Sequence, residues 1–267
     1  MTCTDSTKRA YTSRNNPMAT RINNTDINAQ GIYLARHGAE ELCTLPDLSV
    51  AEVNDWQEAE GLQVDFTTVV RKAPEVAVRY VVTSIDARKS LEEYHRAETL
   101  TLAPHGWGRS FVLRKGQPDS SKAYGRPGGE LALEITYRYE QDELPTERVS
   151  GAVVPYGGLL GYKLGGKELT DYGVVVSKVY DTLLQADGYK DRTWVRKAKE
   201  VTMECVLFAP TWSALWANRA ALWQALQGEL SLSTPAGTLR ARYLSCINTR
   251  QVGKAPIVSF TLNMQWI

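Results

Sequence analysis

The sequence predicts a mainly β (α+β) protein of two related antiparallel domains, sandwich- or barrel-like, each with one principal helix. Three observations predict it. Residues 70–79, Val-Arg-Lys-Ala-Pro-Glu-Val-Ala-Val-Arg, return at 195–204 as Val-Arg-Lys-Ala-Lys-Glu-Val-Thr-Met-Glu. Several stretches alternate apolar and polar residues, which is the period of a half-buried strand. Each copy of the echoed phrase is followed by one segment with helical spacing. Repetition at a long period speaks to architecture before any single motif does. Here it points to a part of an assembly more than to an enzyme.

Residues 1–19 are polar, with Ser, Thr, Asn and Arg. They read as a flexible tail, or as an extension upstream of an internal start at Met18. The first domain spans 20–144. It opens with Thr25-Asp26 and Gly31-Ile32-Tyr33-Leu34, which parallel Thr170-Asp171 and Gly173-Val174-Val175-Val176. Between Leu45 and Phe66 lies a passage that the second copy lacks. Ser49 to Glu52 has the form of a capping box, Val53 and Trp56 face inward, and Gly61 suits a helix end. A short inserted helix is therefore expected within 46–62. Its acidic surface reads as a solvated face, with a contact arm toward a neighbour as the alternative.

Val76, Val78, Tyr80 and Val82 share one face of the next strand, and Val201, Met203, Cys205 and Leu207 hold the same parity in the second copy. A one-residue slip would turn every side chain over, so matched parity predicts matched orientation toward a core. Ser84 is placed to cap a helix carrying Ala87, Leu91, Tyr94 and Glu98. Thr211 is placed to cap another carrying Trp212, Leu215, Trp216, Leu222, Trp223 and Leu226. Burying each large side chain of that stripe is worth roughly 1.5–3 kcal/mol. The stripe reads as core, with contact to a neighbouring subunit as the alternative for part of it. Gly228 stands where a left-handed residue would end the helix.

Pro104-His105-Gly106 and Pro235-Ala236-Gly237 read as hairpin turns. Leu131, Leu133, Ile135, Tyr137 and Tyr139 alternate with polar residues, as do Val258, Phe260, Leu262, Met264 and Trp266. These are half-buried antiparallel strands. Residues 145–161, with Pro145, Pro155 and Gly157-Gly158, suit a linker. The second domain spans 162–267.

Lysine plus arginine is 31 against 30 for aspartate plus glutamate, a net charge of +1. That excludes a strongly basic footprint gripping DNA phosphates, though not contact with DNA moving through a neutral or acidic channel. Cys3, Cys43, Cys205 and Cys246 show no paired spacing for zinc or for a disulfide framework, and read as small buried thiols. No apolar run reaches membrane-spanning length, and no signal peptide is visible. Neither a cofactor nor a metal site is expected.

Ile32-Tyr-Leu-Ala-Arg-His-Gly38 resembles the opening signature of the histidine phosphatase family. The resemblance implies His37 as nucleophile and Arg36 as a phosphate clamp. Against it, the further imidazole such a pocket needs must come from His95, in a helical pattern, or His105, in a turn. The family's alternation of strands and helices is also missing, and the second copy has Val176-Ser-Lys-Val179 at the matching point. No catalytic residue is expected. Gly125-Arg-Pro-Gly-Gly129 leads into a strand and reads as a hairpin loop. Arg109, Lys115, Lys122, Tyr124 and Arg126 read as a solvated surface, with a nucleic-acid path as the alternative.

Asp171-Tyr-Gly-Val-Val-Val176 followed by Tyr180-Asp-Thr-Leu-Leu184 resembles stretches of tailed-bacteriophage distal tail and minor tail proteins. So do Gly31-Ile-Tyr-Leu34, the passage Asn54–Asp65, the Arg-Lys-Ala-x-Glu-Val phrase and Tyr243-Leu-Ser-Cys246. The resemblance covers about 240 residues and rests on order and duplication, since no single motif is diagnostic. It implies tail-tube-type domains in a structural virion protein, assembled in the bacterial host cytoplasm and resident in the virion tail. It implies a homo-oligomeric ring at the tail tip or baseplate, as a trimer with quasi-sixfold symmetry or a hexamer. Tail-tube and other tip proteins would be its neighbours, and genomic DNA would pass without sequence-specific binding. The alternative outside this class is a carbohydrate-binding β-sandwich module using exposed Tyr and Trp.

Overall fold

The alternating stretches pair into two large sheets. The computed structural model describes residues 19–50, 53–54, 63–115, 121–125, 130–165, 167–168, 180–184, 193–196, 200–234 and 237–267. The first set of elements is β1 (Arg21–Ile22), β2 (Thr25–Asp26), β3 (Ile32–Leu34), β4 (Asp47–Val50), β5 (Val53–Asn54), β6 (Gln63–Val64), β7 (Val69–Lys72), β8 (Glu75–Val82), helix α1 (Ile85–Tyr94), β9 (Thr99–Ala103), β10 (Phe111–Lys115), β11 (Ser121–Gly125) and β12 (Leu131–Arg138). The second is β13 (Ala152–Val154), β14 (Leu159–Leu164), β15 (Lys167–Glu168), β16 (Tyr180–Leu184), β17 (Thr193–Arg196), β18 (Glu200–Phe208), helix α2 (Trp212–Leu226), β19 (Leu230–Thr234), β20 (Gly237–Gln251) and β21 (Ile257–Trp266).

The first sheet runs β2-β1-β9-β10-β12-β8-β3, with β11 also paired to β12. The second runs β13-β19-β20-β21-β18-β14-β15. Pairing is antiparallel throughout both sheets except where β13 lies parallel to β19. The fold is mainly β, as the alternation predicts.

Register follows the apolar pattern. Leu131, Leu133, Ile135 and Tyr137 stand opposite Val82, Tyr80, Val78 and Val76. Val258, Phe260, Leu262 and Met264 stand opposite Leu207, Cys205, Met203 and Val201. Of these only Leu131 and Val201 are half-buried; the rest are buried. Ser84 caps α1 by accepting the N–H of Ala87 at 3.0 Å, and Thr211 caps α2 by accepting that of Ala214 at 3.2 Å. Helix α1 stops at Tyr94, so Glu98 falls in the turn before β9.

The two helices are buried differently. Helix α1 buries one line, Ala87 and Leu91, continued by His95 just past its end. Helix α2 buries Leu215, Trp216, Arg219, Leu222, Trp223, Ala225 and Leu226. That is wider than one amphipathic stripe, because α2 is covered from two sides. It packs on the second sheet and also meets Trp107 and Phe111 of the first set. The buried residues of both sheets form one continuous core.

Three expectations are corrected. The passage 46–62 does not open as a helix. Asp47–Val50 pairs with Val69–Lys72, and Val53–Asn54 with Gln63–Val64. Val50, Val53, Val64, Val69 and Val70 favour extended backbone, and that preference overrides the capping-box pattern. Residues 51–52 and 55–62, with Trp56 and Gly61, lie outside the described residues. Nor is such a hairpin confined to the first set of elements, since β16 and β17 pair with each other.

The linker read at 145–161 supplies β13 and the start of β14, both within the second sheet. Strands of three and six residues between turn residues leave too little alternation to detect. Thr170-Asp171 and Gly173–Val176 lie outside the described residues.

Gly228 is not a left-handed cap. A Cβ there would lie 3.0 Å from the carbonyl oxygen of Val149 and 3.2 Å from the Cα of Ser150. Its small size lets the backbone at Val149 and Ser150 cross close by.

Candidate functional site

Arg36, His37 and Gly38 lie in the turn after β3. The turn closes on β8: the N–H of Ala35 donates to the carbonyl of Arg79 at 2.9 Å, and the N–H of Arg79 to that of Gly38 at 2.8 Å. His37 takes a φ of 60°, in the left-handed region that a non-glycine residue visits uncommonly. Its Nδ1 lies 3.2 Å from Oε2 of Glu40. The same oxygen accepts the backbone N–H of Gln251 at 3.1 Å. His37 thus stands beside a carboxylate that joins the two sheets.

The other histidines lie elsewhere. His95 is buried, with Nδ1 2.6 Å from the Leu91 carbonyl and Nε2 bonded to the Tyr137 hydroxyl. The Tyr137 hydroxyl lies 3.2 Å from that of Tyr80. Burial lowers the pKa of His95, against an opposing effect of the Leu91 carbonyl. Burial also pushes up the Tyr80 and Tyr137 hydroxyls. His105 sits in the β9–β10 turn, its backbone N–H donating to Oγ1 of Thr20 at 3.3 Å. Each histidine has its own set of partners.

Of the basic and aromatic residues, those with described side chains lie on the β9–β10 loop, β10 and β11. Arg109 turns inward, with Nη2 3.1 Å from Oε1 of Glu143 and its guanidinium 5.4 Å from the Trp216 ring centroid. Lys115 ends β10, and Tyr124 on β11 is exposed. The side chain of Lys122 and all of Arg126 lie outside the described residues.

Polar groups converge instead at the seam between the sheets. Arg219, 2% exposed, projects from the middle of α2. Its Nε donates to the Cys43 carbonyl at 3.2 Å, and its Nη2 to the Thr44 carbonyl at 2.9 Å and to Oε1 of Gln141 at 2.8 Å. Nη1 makes no hydrogen bond but lies 3.6 Å from Oε1 of Glu143. That is an ion pair by distance alone. Glu143 also meets Arg109 and the Tyr139 hydroxyl. A buried cation persists where its charge and donors are met, and here the partners come from the first sheet's own connections.

Aromatic packing flanks this cluster. Trp107 stacks on Trp212 with centroids 4.9 Å apart, and Phe111 meets Trp216 edge to face at 5.5 Å. Farther along α2, Trp223 and Gln227 donate to the Pro145 carbonyl at 3.1 and 3.2 Å. The Tyr243 hydroxyl donates to the Pro46 carbonyl at 2.9 Å, and burial raises the pKa of the neighbouring Asp47 carboxyl against the opposing effect of the Cys246 backbone. The cavity beside Arg219, bounded by Cys43, Leu207, Leu222 and Phe260, measures ≈ 10 Å³. That is about the space of one water molecule.

Burial pushes the Cys43 thiol up to about 12 and raises those of Cys205 and Cys246. Such thiols are poor nucleophiles. The chemistry of the seam is cohesive: it fixes one sheet against the other. Arg219, Gln141 and Glu143 escape motif reading. The available signal was a cation at the centre of an apolar helical stripe, a position arginine rarely takes without partners.

Among the described residues, no group of His, Cys, Asp and Glu is arranged for a metal ion, and no helix is long and apolar enough to cross a membrane. No protein-family model matches the chain, and no curated protein matches it.

Proposed function

We propose that this chain is a structural protein of a phage or prophage tail, of the distal-tail or hub type. It forms a ring around the DNA channel at the tail tip and joins the tube to the adsorption apparatus. One observation carries the proposal: β9-β10-β12-β8-β3 and β19-β20-β21-β18-β14 have the same order and are antiparallel throughout, with a helix after β8 and after β18. Gly31 before β3 and Gly158 before β14 both take positive φ, 75° and 94°. Two copies of one tail-tube-type unit account for this order, for the echoed phrase and for the paired hairpins β4–β7 and β16–β17.

A duplicated unit suits a ring. Head-to-tail contacts close a ring when each patch meets a different patch on the next unit. Three chains supply six sectors; six chains are needed if one unit stacks on the other. The cohesive seam would hold two successive sectors at a fixed angle. A net charge of +1 suits a wall along which a genome slides without being gripped. Tail-tube and other tip proteins are the neighbours in this reading.

Negative-stain imaging and sedimentation of the full chain test it. Rings of sixfold appearance are expected. A chain that stays monomeric at every attainable concentration would sink the proposal.

A further inference from the structure

The two sheets differ in what covers one strand edge. Beside β12, β11 places Ser121 opposite Ile135 and Gly125 opposite Leu131. Beside β21, β20 places Cys246 opposite Leu262 and Gln251 opposite Val258. Because β12 and β21 pair with β8 and β18 in equivalent register, β11 occupies the place of the Cys246–Gln251 stretch.

In the second sheet that stretch is covered from within the chain. Glu40 accepts the Gln251 N–H at 3.1 Å, and just before the stretch Pro46 accepts the Tyr243 hydroxyl at 2.9 Å. Strand β4, leading into its hairpin with β7, lies along β20. In the first sheet, among the described strands, β11 pairs only with β12, and Ala123, Tyr124 and Gly125 are exposed. The covering element also has an unmatched counterpart. Hairpin β16–β17 follows β14 as β4–β7 follows β3, yet among the described residues no strand lies along it as β20 lies along β4.

We propose that the β11 edge receives the β16–β17 hairpin of a second copy of this chain. The contact would repeat between chains the fit that β4 makes on β20 within each one. It rests on the ring reading and assigns that ring its faces. An open strand edge offers unpaired N–H and C=O groups, which groups of another chain can satisfy as Glu40 satisfies the Gln251 N–H within the chain. The two patches differ, so the contact propagates head to tail and closes only after a full turn.

Two single variants, Tyr124→Cys and Thr182→Cys, each in a Cys3→Ser background, test this with a short bismaleimide. Cys43, Cys205 and Cys246 are buried and serve as internal silent thiols. A two-chain product that forms in the mixture, and in neither variant alone, is the expected result. The doubly substituted chain should give a ladder of higher species. Rings that sediment normally but give no mixed product would overturn this face assignment and leave the ring reading standing. A strictly monomeric chain with no product would overturn both.

Discussion

Trp216 donates its indole N–H to the main-chain carbonyl of Trp107 at 2.9 Å, joining α2 to the loop after β9. Trp216 also meets Phe111 and the guanidinium of Arg109. Trp216→Phe keeps most of the packing and leaves the carbonyl unpaired, which should cost about 1–3 kcal/mol. Trp216→Ala should cost about 3–5 kcal/mol. Urea midpoints of the two variants check both the size and the order of the losses. Equal midpoints for wild type and Trp216→Phe would show that the hydrogen bond contributes nothing.

Arg219→Met should destabilise the chain by about 3–5 kcal/mol, because Gln141, Glu143 and two carbonyls lose their shared cation. Glu143→Gln should cost less in that background than it does alone, since the Arg219 contact is already gone while Arg109 still meets residue 143. Chemical denaturation of the two variants and of Glu143→Gln completes a double-mutant cycle. Additive losses would contradict the coupling described at the seam.

Stability should fall on mild acidification through His95. Its pKa is lowered in the folded protein by burial, so the unfolded chain binds the proton more readily. The contribution is fully present above the unfolded value of about 6.5 and is lost as pH drops toward the folded value. His95→Gln should flatten the urea midpoint between neutral pH and the onset of carboxylate titration. A variant that keeps the wild-type slope would place the pH response elsewhere.

Cys43, Cys205 and Cys246 should resist a thiol reagent such as a disulfide chromophore in the native protein and react promptly in denaturant. Both burial and raised thiol pKa values slow attack. Mass spectrometry of the labelled native chain gives the answer residue by residue. Rapid native labelling of Cys43 would mean that the seam opens readily.

The strand that carries Val76 to Val82, the pair β12 and β21, and both helix caps were legible because period and capping chemistry are local. The hairpin at Asp47 was lost to a competing local signal, the Ser49–Glu52 box. Strands β13 and β14 were too short to show a period. Arg219 lay beyond motif reading for a different reason. Its partners Cys43, Thr44, Gln141 and Glu143 are distant in sequence, so only the packed chain reveals why a cation belongs there.

The location of α2 has a consequence for how the protein is made. Residues 212–226 cover groups laid down near Cys43, Trp107 and Glu143. A ribosome therefore releases the amino-terminal half long before its cover arrives. Until then Trp107 and Phe111 lack their aromatic neighbours and remain sticky, the condition in which nascent chains recruit chaperones. A stop codon placed just before α2 should yield inclusion bodies instead of a free amino-terminal lobe.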